Sequence, residues 1–194
     1  DIPSSYFVTG TSYYISLTLE NYLGETGQGT VVVRKSAIDD TPSLSVSRSI
    51  VSDYMFASSP LTLSASAVLP ASLRGISNIS SYTWTVYRDY IFEPSVESSS
   101  ADPSVMSLGA YELSAGSVYQ FVVTVVTSSG TSVQATVTYF VVHDEVNAVI
   151  AGGDLRSVSA SEELVLDGSL SYDGDVGSSS GLSYSWSCVY VSLL

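Results

Sequence analysis

The chain has 194 residues, 45% hydrophobic and only 13% charged, with 6 basic against 19 acidic side chains and a net charge of −13. That balance excludes nucleic acid and anionic membrane surfaces as partners, because both are held by Lys and Arg. No window of eighteen apolar residues occurs, so no insertion into a membrane is expected, and a single cysteine permits no disulfide within the chain.

The charged fraction is about half the usual one. Ser, Thr, Val, Tyr and Gly fill the difference, and β-branched and aromatic types suit a pleated, half-buried surface. From Asp1 to Ser36, Tyr13, Ile15, Leu17 and Leu19 alternate at period two. Gly24 to Gly29 reads as a turn-rich loop and Thr30 to Arg34 as the return strand. Residues 1–36 are therefore expected to be the C-terminal hairpin of a first unit.

The linker Asp39-Asp40-Thr41-Pro42 follows, kept extended by Pro42. Residues 37–143 read as a complete sandwich. Strands are expected at Leu44–Val46, Leu61–Ala65 and Ser81–Tyr87, the last with Tyr82, Trp84 and Val86 on one face. Asp89 to Pro103 reads as acidic, Ser-rich loop with a weak edge strand, and Val105–Leu108 as a short apolar strand. The strongest pattern is next: Phe121, Val123 and Val125, a turn at Ser128–Thr131, then Val133, Ala135, Val137, Tyr139 and Val141.

Residues 144–194 read as the N-terminal half of a third unit, with strands around Val149, Leu164–Leu166 and Leu182–Tyr190. No amphipathic run at helical spacing lasts three turns. The chain shows no leader, opens at Asp1 and stops at Leu194 inside a strand-like run, so a fragment of something longer is expected.

Two spacings tie these segments together. Tyr82-x-Trp84 matches Tyr184-x-Trp186, 102 residues on, and Leu61-x-Leu63 matches Leu164-x-Leu166. Gly10-Thr11-x-Tyr13 matches Gly116-Ser117-x-Tyr119 at a spacing of 106. A period near 100 is the size of one immunoglobulin-like sandwich. The expected fold is all-β: tandem immunoglobulin-like or fibronectin-III-like sandwiches, the terminal units incomplete.

Trp84 and Trp186 fall on third strands and read as core tryptophans between two sheets, with a sugar-binding surface aromatic as the alternative. Tyr119 stands six residues after Leu113, across Ala115-Gly116, the spacing of a tyrosine corner; Tyr13 is expected to do the same in the first unit. Asp167, Asp173 and Asp175 offer hard oxygen donors that could ligate Ca²⁺, but Asp and Gly are also ordinary turn formers. Asn78-Ile79-Ser80 is an N-glycosylation sequon in an expected loop. The runs Ser98–Ser100 and Ser178–Ser180 read as sites for O-linked sugars or as plain loops. Cys188 reads as a buried thiol or as one whose partner lies beyond Leu194. His143, the sole histidine, has no Ser or Cys in a nucleophilic setting, and no phosphate loop or catalytic carboxylate pair occurs.

Gly152-Gly153-Asp154-x-Arg156-x-Val158, then Leu164-x-Leu166-Asp167-Gly168-Ser169, then Tyr184-Ser-Trp186-Ser-Cys188, resembles the opening of polycystic-kidney-disease-type repeats. It is more similar still to the receptor-for-egg-jelly modules of polycystin-type proteins. Ser187-Cys188-Val189-Tyr190 stands where the simpler repeats carry Phe-Gly-Asp-Gly. The resemblance implies extracellular sandwich modules of large surface or ciliary proteins, active in adhesion, mechanical linkage or as receptor ectodomains. The expected role is a non-catalytic, structural or adhesive segment of a cell-surface, ciliary or flagellar glycoprotein, assembled into a fibre. The alternative is the ligand-binding ectodomain of a polycystin-type receptor. Its expected partners are neighbouring repeats, copies of itself, other extracellular proteins or glycans, and no cofactor beyond Ca²⁺ is implied.

Overall fold

A computed structural model describes residues 2–35, 41–153, 156–159 and 161–190. Twelve strands are found among them, and the helical content is two single 3-10 turns, Ser4–Tyr6 and Ala71–Leu73. The fold is all-β, as the period-two patterning requires. The expected Asp39-Asp40 linker, Asp154 and the last four residues lie outside the described residues.

The central segment is a two-sheet sandwich. One sheet holds β3 (Ser43–Arg48), β5 (Leu61–Val68) and β8 (Val105–Leu108), in the order β3-β5-β8. The other holds β4 (Tyr54–Phe56), β6 (Ile79–Arg88), β7 (Ile91–Phe92), β9 (Val118–Thr127) and β10 (Ser132–Val142), in the order β4-β10-β9-β6-β7. The inward residues of both sheets share one core: Leu61, Leu63, Met106 and Leu108 meet Val86, Phe121, Tyr139 and Val141.

β9 shows why the pattern specifies the fold. Its alternate residues Tyr119, Phe121, Val123, Val125 and Thr127 are all buried, and the intervening ones are not. Each apolar member contributes about 1.5–3 kcal/mol by leaving water. A register slip of one residue would turn all five outward. Thr127 ends the row, and its hydroxyl bonds the Thr131 carbonyl at 3.1 Å across a turn where Gly130 takes φ +85°.

β4 has no counterpart in the sequence reading. It is three residues long and pairs parallel to β10, Tyr54 opposite Phe140 and Phe56 opposite Val142. The chain therefore changes sheets between β3 and β4. Tyr139 fixes that crossing: its buried hydroxyl donates to the Ile50 carbonyl at 2.7 Å. Arg48 lies over the Tyr139 ring and pairs with Asp53 at 2.7 Å. Burial pushes the Tyr139 phenol above its ordinary pKa, and the nearby Arg48 cation offsets part of this.

The Ser-rich run is ordered, not loose. The Ser98 hydroxyl donates to the Val105 carbonyl at 2.9 Å and accepts from the Ser107 and Ser100 amides. Ser99 adds a backbone bond to Ser107. The run thus satisfies the free edge of β8 that would otherwise invite another strand.

β1 (Ser12–Glu20) and β2 (Thr26–Arg34) form the N-terminal hairpin. Its loop is shorter than expected. Asn21 accepts from the Leu23 and Glu25 amides and Gly24 takes φ +82°, so the chain has turned by Glu25, and Gly27 and Gly29 are already in strand. The pairing reproduces β9–β10 at a constant offset of 106: Ser12 faces Arg34 as Val118 faces Phe140, and Thr18 faces Gln28 as Thr124 faces Gln134. The flanking bonds repeat as well, Gly10 N–H to Lys35 O and Gly116 N–H to Val141 O, each 2.7 Å. Both glycines sit at φ +79°.

The C-terminal stretch departs from expectation. Its strands are β11 (Val146–Asn147) and β12 (Tyr172–Asp173), paired antiparallel. Leu164–Leu166 and Leu182–Tyr190 are not in strands, and Val149 is not in the first. A strand is held by the neighbour it pairs with, and neither run has a partner strand among the described residues.

Candidate functional site

A dense polar cluster lies where the chain leaves the sandwich. After β10 comes His143-Asp144-Glu145, and the Asp173–Ser178 turn folds onto it. Asp175 receives the Asp144 amide at 2.7 Å on one oxygen and His143 Nδ1 at 2.7 Å on the other. These hydrogen bonds, that from His143 foremost, hold the Asp175 carboxyl below its ordinary pKa. The Gly174 amide donates to the Glu145 carbonyl at 3.1 Å, and Asp173 Oδ1 accepts from the Asp175 amide at 2.9 Å.

Close backbone approaches lock this joint. A Cβ on Gly174 would lie 2.7 Å from the Glu145 carbonyl, and one on Gly177 2.5 Å from the Tyr111 ring. A Cβ on Gly116 would meet His143 Nε2 at 2.8 Å. Tyr111 is held at φ +65° with its amide on the Ala57 carbonyl. So the loop before β9, the exit of β10 and the Asp-Gly-Asp turn form one tight knuckle. The sequence signalled the turn but not the parts played by His143 and Tyr111, which come from segments far apart in the chain.

The expected calcium ligands do not converge. Asp167 accepts the Ser169 amide at 2.8 Å, which holds its carboxyl below the ordinary range, while Asp173 and Asp175 are engaged as above. Among the described residues no group of three or more His, Cys, Asp or Glu side chains is placed to hold a metal ion.

The two tryptophans differ. Trp84 is partly buried and packs on both core clusters, with its indole Nε1 unpartnered among the described residues. Trp186 is a correction to the core reading: it is 51% exposed, lying with Tyr184 against Gly168. The reason is the missing pairing of its strand. Cys188 is likewise an exposed free thiol, not a buried one.

The two tyrosines agree. Tyr119 is 2% exposed and its hydroxyl accepts the Ser114 amide at 3.0 Å. Tyr13 accepts the Val8 amide at 2.6 Å, also five residues upstream, with Phe7 packed edge-on against its ring. Asn78 is exposed at the entry to β6. Its backbone is pinned to Ser128, and a bulge between Ile79 and Ser81 leaves Ser80 in solvent. His143 bonds a carboxylate, and among the described residues it has no hydroxyl or thiol partner that would make a nucleophile–base pair.

The family model described as the REJ domain matches residues 72–193, from the loop before β6 through the knuckle to the last strand-like run. A comparison with curated proteins finds no match.

Proposed function

The chain belongs to the REJ domain family, and on that premise we propose that it is a non-catalytic, extracellular structural segment of a large polycystin-type surface protein. The proposed organisation is three consecutive units: 1–36 the end of one, 37–143 a complete sandwich, 144–194 the start of the next. The observation that carries it is the constant offset of 106 between the β1–β2 and β9–β10 registers, with the same corner tyrosine, the same left-handed glycine and the same flanking bonds. One building block used twice accounts for all of these.

Several features support a load-bearing or adhesive role over chemistry. The REJ domain family is not a known enzyme family. The polar groups of the knuckle are spent on holding the end of the sandwich to the next segment. No helix among the described residues is long and apolar enough to cross a membrane. The low charge density and Ser/Thr-rich outer faces suit a protein that stands in solvent and meets neighbours, other extracellular proteins or glycans. The same reading makes Asn78 a glycan acceptor and the surface of a cilium or flagellum a fitting location.

The test is surface biotinylation of intact cells expressing an epitope-tagged full-length protein, followed by electron microscopy of the purified protein. Label on the tagged protein and beaded rods with a repeat of one sandwich length are expected. Protection from the label until cells are permeabilised would overturn the reading.

A further inference from the structure

One edge of the complete sandwich is left open by its own strands. The Val86 carbonyl points away from β9 and accepts the Glu93 amide at 2.9 Å. Tyr82 and Trp84 are in phase with Val86, so their N–H and C=O groups turn the same way. β7 pairs with Tyr87 and Arg88, and among the described residues no strand pairs with Tyr82 or Trp84 on that side. The other edges are managed. The Ser98–Ser100 run binds β8. β7 stops after two residues, at Glu93-Pro94. Pro42 precedes β3 and Arg48 ends it, while β4 pairs with the end of β10 and β3 approaches the remainder.

The residues of that edge add to the hazard. Ile79 to Tyr87 holds no charge, no proline and no glycine, and most of its members are β-branched or aromatic. Such a window on an open edge accepts strands from other chains unless a charge, a proline or a cover blunts it. Arg88 and Asp89 stand beyond the window, where β7 has already closed the edge. At its other end stands Asn78, the first residue of the sequon.

We propose that a glycan on Asn78 is the cover of this edge and keeps β6 from pairing with a strand of another chain. The proposal rests on the reading of Asn78 as an acceptor and adds what the sugar does there. Asn78 is exposed, and its bonds are those of its backbone: its amide donates to the Ser128 hydroxyl at 3.1 Å, and its carbonyl accepts the Ser128 amide at 2.8 Å. The attachment point is therefore fixed while the side-chain amide is free to carry a sugar. Ile79 beside it packs on the core, which anchors the strand at its entry. Tyr82 and Trp84 lie four and six residues on, about 13 and 20 Å at the rise of a strand. A bulky, hydrated N-glycan of several sugars spans that reach. An incoming strand would have to displace it before bonding to either residue.

The test compares the chain secreted from a eukaryotic host, with Cys188 kept reduced, and variants that lose the sequon. The glycosylated chain is expected to stay monomeric in sedimentation at about 100 μM. Asn78→Gln and Ser80→Ala remove the sugar through different side chains. Both are expected to self-associate at that concentration, with a rise in thioflavin fluorescence. An unchanged melting transition, read by tryptophan fluorescence, shows that the sandwich itself is intact in them. Adding Thr83→Lys to Asn78→Gln puts a charge on an exposed residue of the open edge and is expected to restore the monomer. It does so although it lowers the net negative charge that keeps copies apart. Thr136→Lys, the same charge at an exposed position of β10, is expected to restore nothing. A secreted chain without sugar overturns the acceptor reading and the proposal with it. Sugar-free variants that remain monomeric, or a glycosylated chain that associates as readily as they do, overturn the proposal and leave the acceptor reading standing. Rescue by both lysines, or by neither, overturns the assignment of the hazard to β6.

Discussion

Replacing Tyr119 by Phe removes one oxygen from the core and leaves the ring in place. The hydroxyl accepts the Ser114 amide at 3.0 Å and the ring is 2% exposed, so the perturbation isolates the corner bond from packing. A net intramolecular hydrogen bond is worth about 0.5–1.5 kcal/mol, and an orphaned buried donor costs about 1–3. Ser114 itself is exposed, so water reaches its amide and the lower range applies, about 1 kcal/mol. For a domain of this size that lowers the melting midpoint by about 4–8 °C. In urea, with a slope of about 1–3 kcal/mol per molar, the midpoint falls by roughly 0.3–1 M. Trp84, packed between the sheets, reports the transition by fluorescence. Tyr13→Phe, in a hairpin whose bond is exposed, is expected to shift the same transition by less. An unchanged midpoint for Tyr119→Phe, or an equal loss from both variants, would refute the assignment of the corner as a fastening of the folded sandwich.

The Ser98 hydroxyl makes three bonds to the run and strand beside it, so Ser98→Ala is expected to cost about 1–3 kcal/mol, measured by the same urea transition. Gly174→Ala drives a methyl into the Glu145 carbonyl and is expected to release the β11–β12 pairing, seen as faster amide hydrogen exchange at residues 143–147 with β9 unaffected. The Asp175 carboxyl is depressed in the folded state by the His143 and Asp144 bonds, so its contribution to the knuckle is full above the unfolded value of about 3.8 and disappears as pH falls through the lower folded one; carbon NMR of the carboxylate, titrated with and without His143→Ala, should show the midpoint rise part of the way toward the ordinary value when the imidazole is removed, the Asp144 amide keeping the rest of the depression. Secretion from a eukaryotic host is expected to give a protein whose gel mobility increases after glycosidase treatment, and Asn78→Gln to abolish that change; an unmodified wild-type protein would remove Asn78 as an acceptor.

The long central hairpin was fully legible because alternation over ten residues at Val118–Thr127 leaves no other way to bury Phe121, Val123 and Val125 together. β3, β5 and β6 were legible on the same ground, and β8 as a short apolar run. β4 was not, since three residues carry no period and their pairing with β10 joins segments more than eighty residues apart. The loop of the first hairpin was read too long because Gly27 and Gly29 look like turn residues, whereas the turn is closed earlier by the Asn21 side chain. Trp186 and the Leu164–Leu166 run show the opposite failure: the pattern of a strand is present, but pairing is a property of two segments and not of one. The knuckle was half legible. Asp173-Gly174-Asp175 announced a turn, but that it would clasp His143 and face Tyr111 depends on the fold bringing three separate loops to one end.

The parallel pairing of β4 with β10 decides how the sandwich answers tension. A pull applied at Ser43 and at Val142 drags the two strands in opposite directions along their common axis. Tyr54, Met55 and Phe56 must then slide past Phe140, Val141 and Val142 at once, with no single end from which they can unzip. The weakest moment under stretch is therefore a shared rupture and not a sequential peeling.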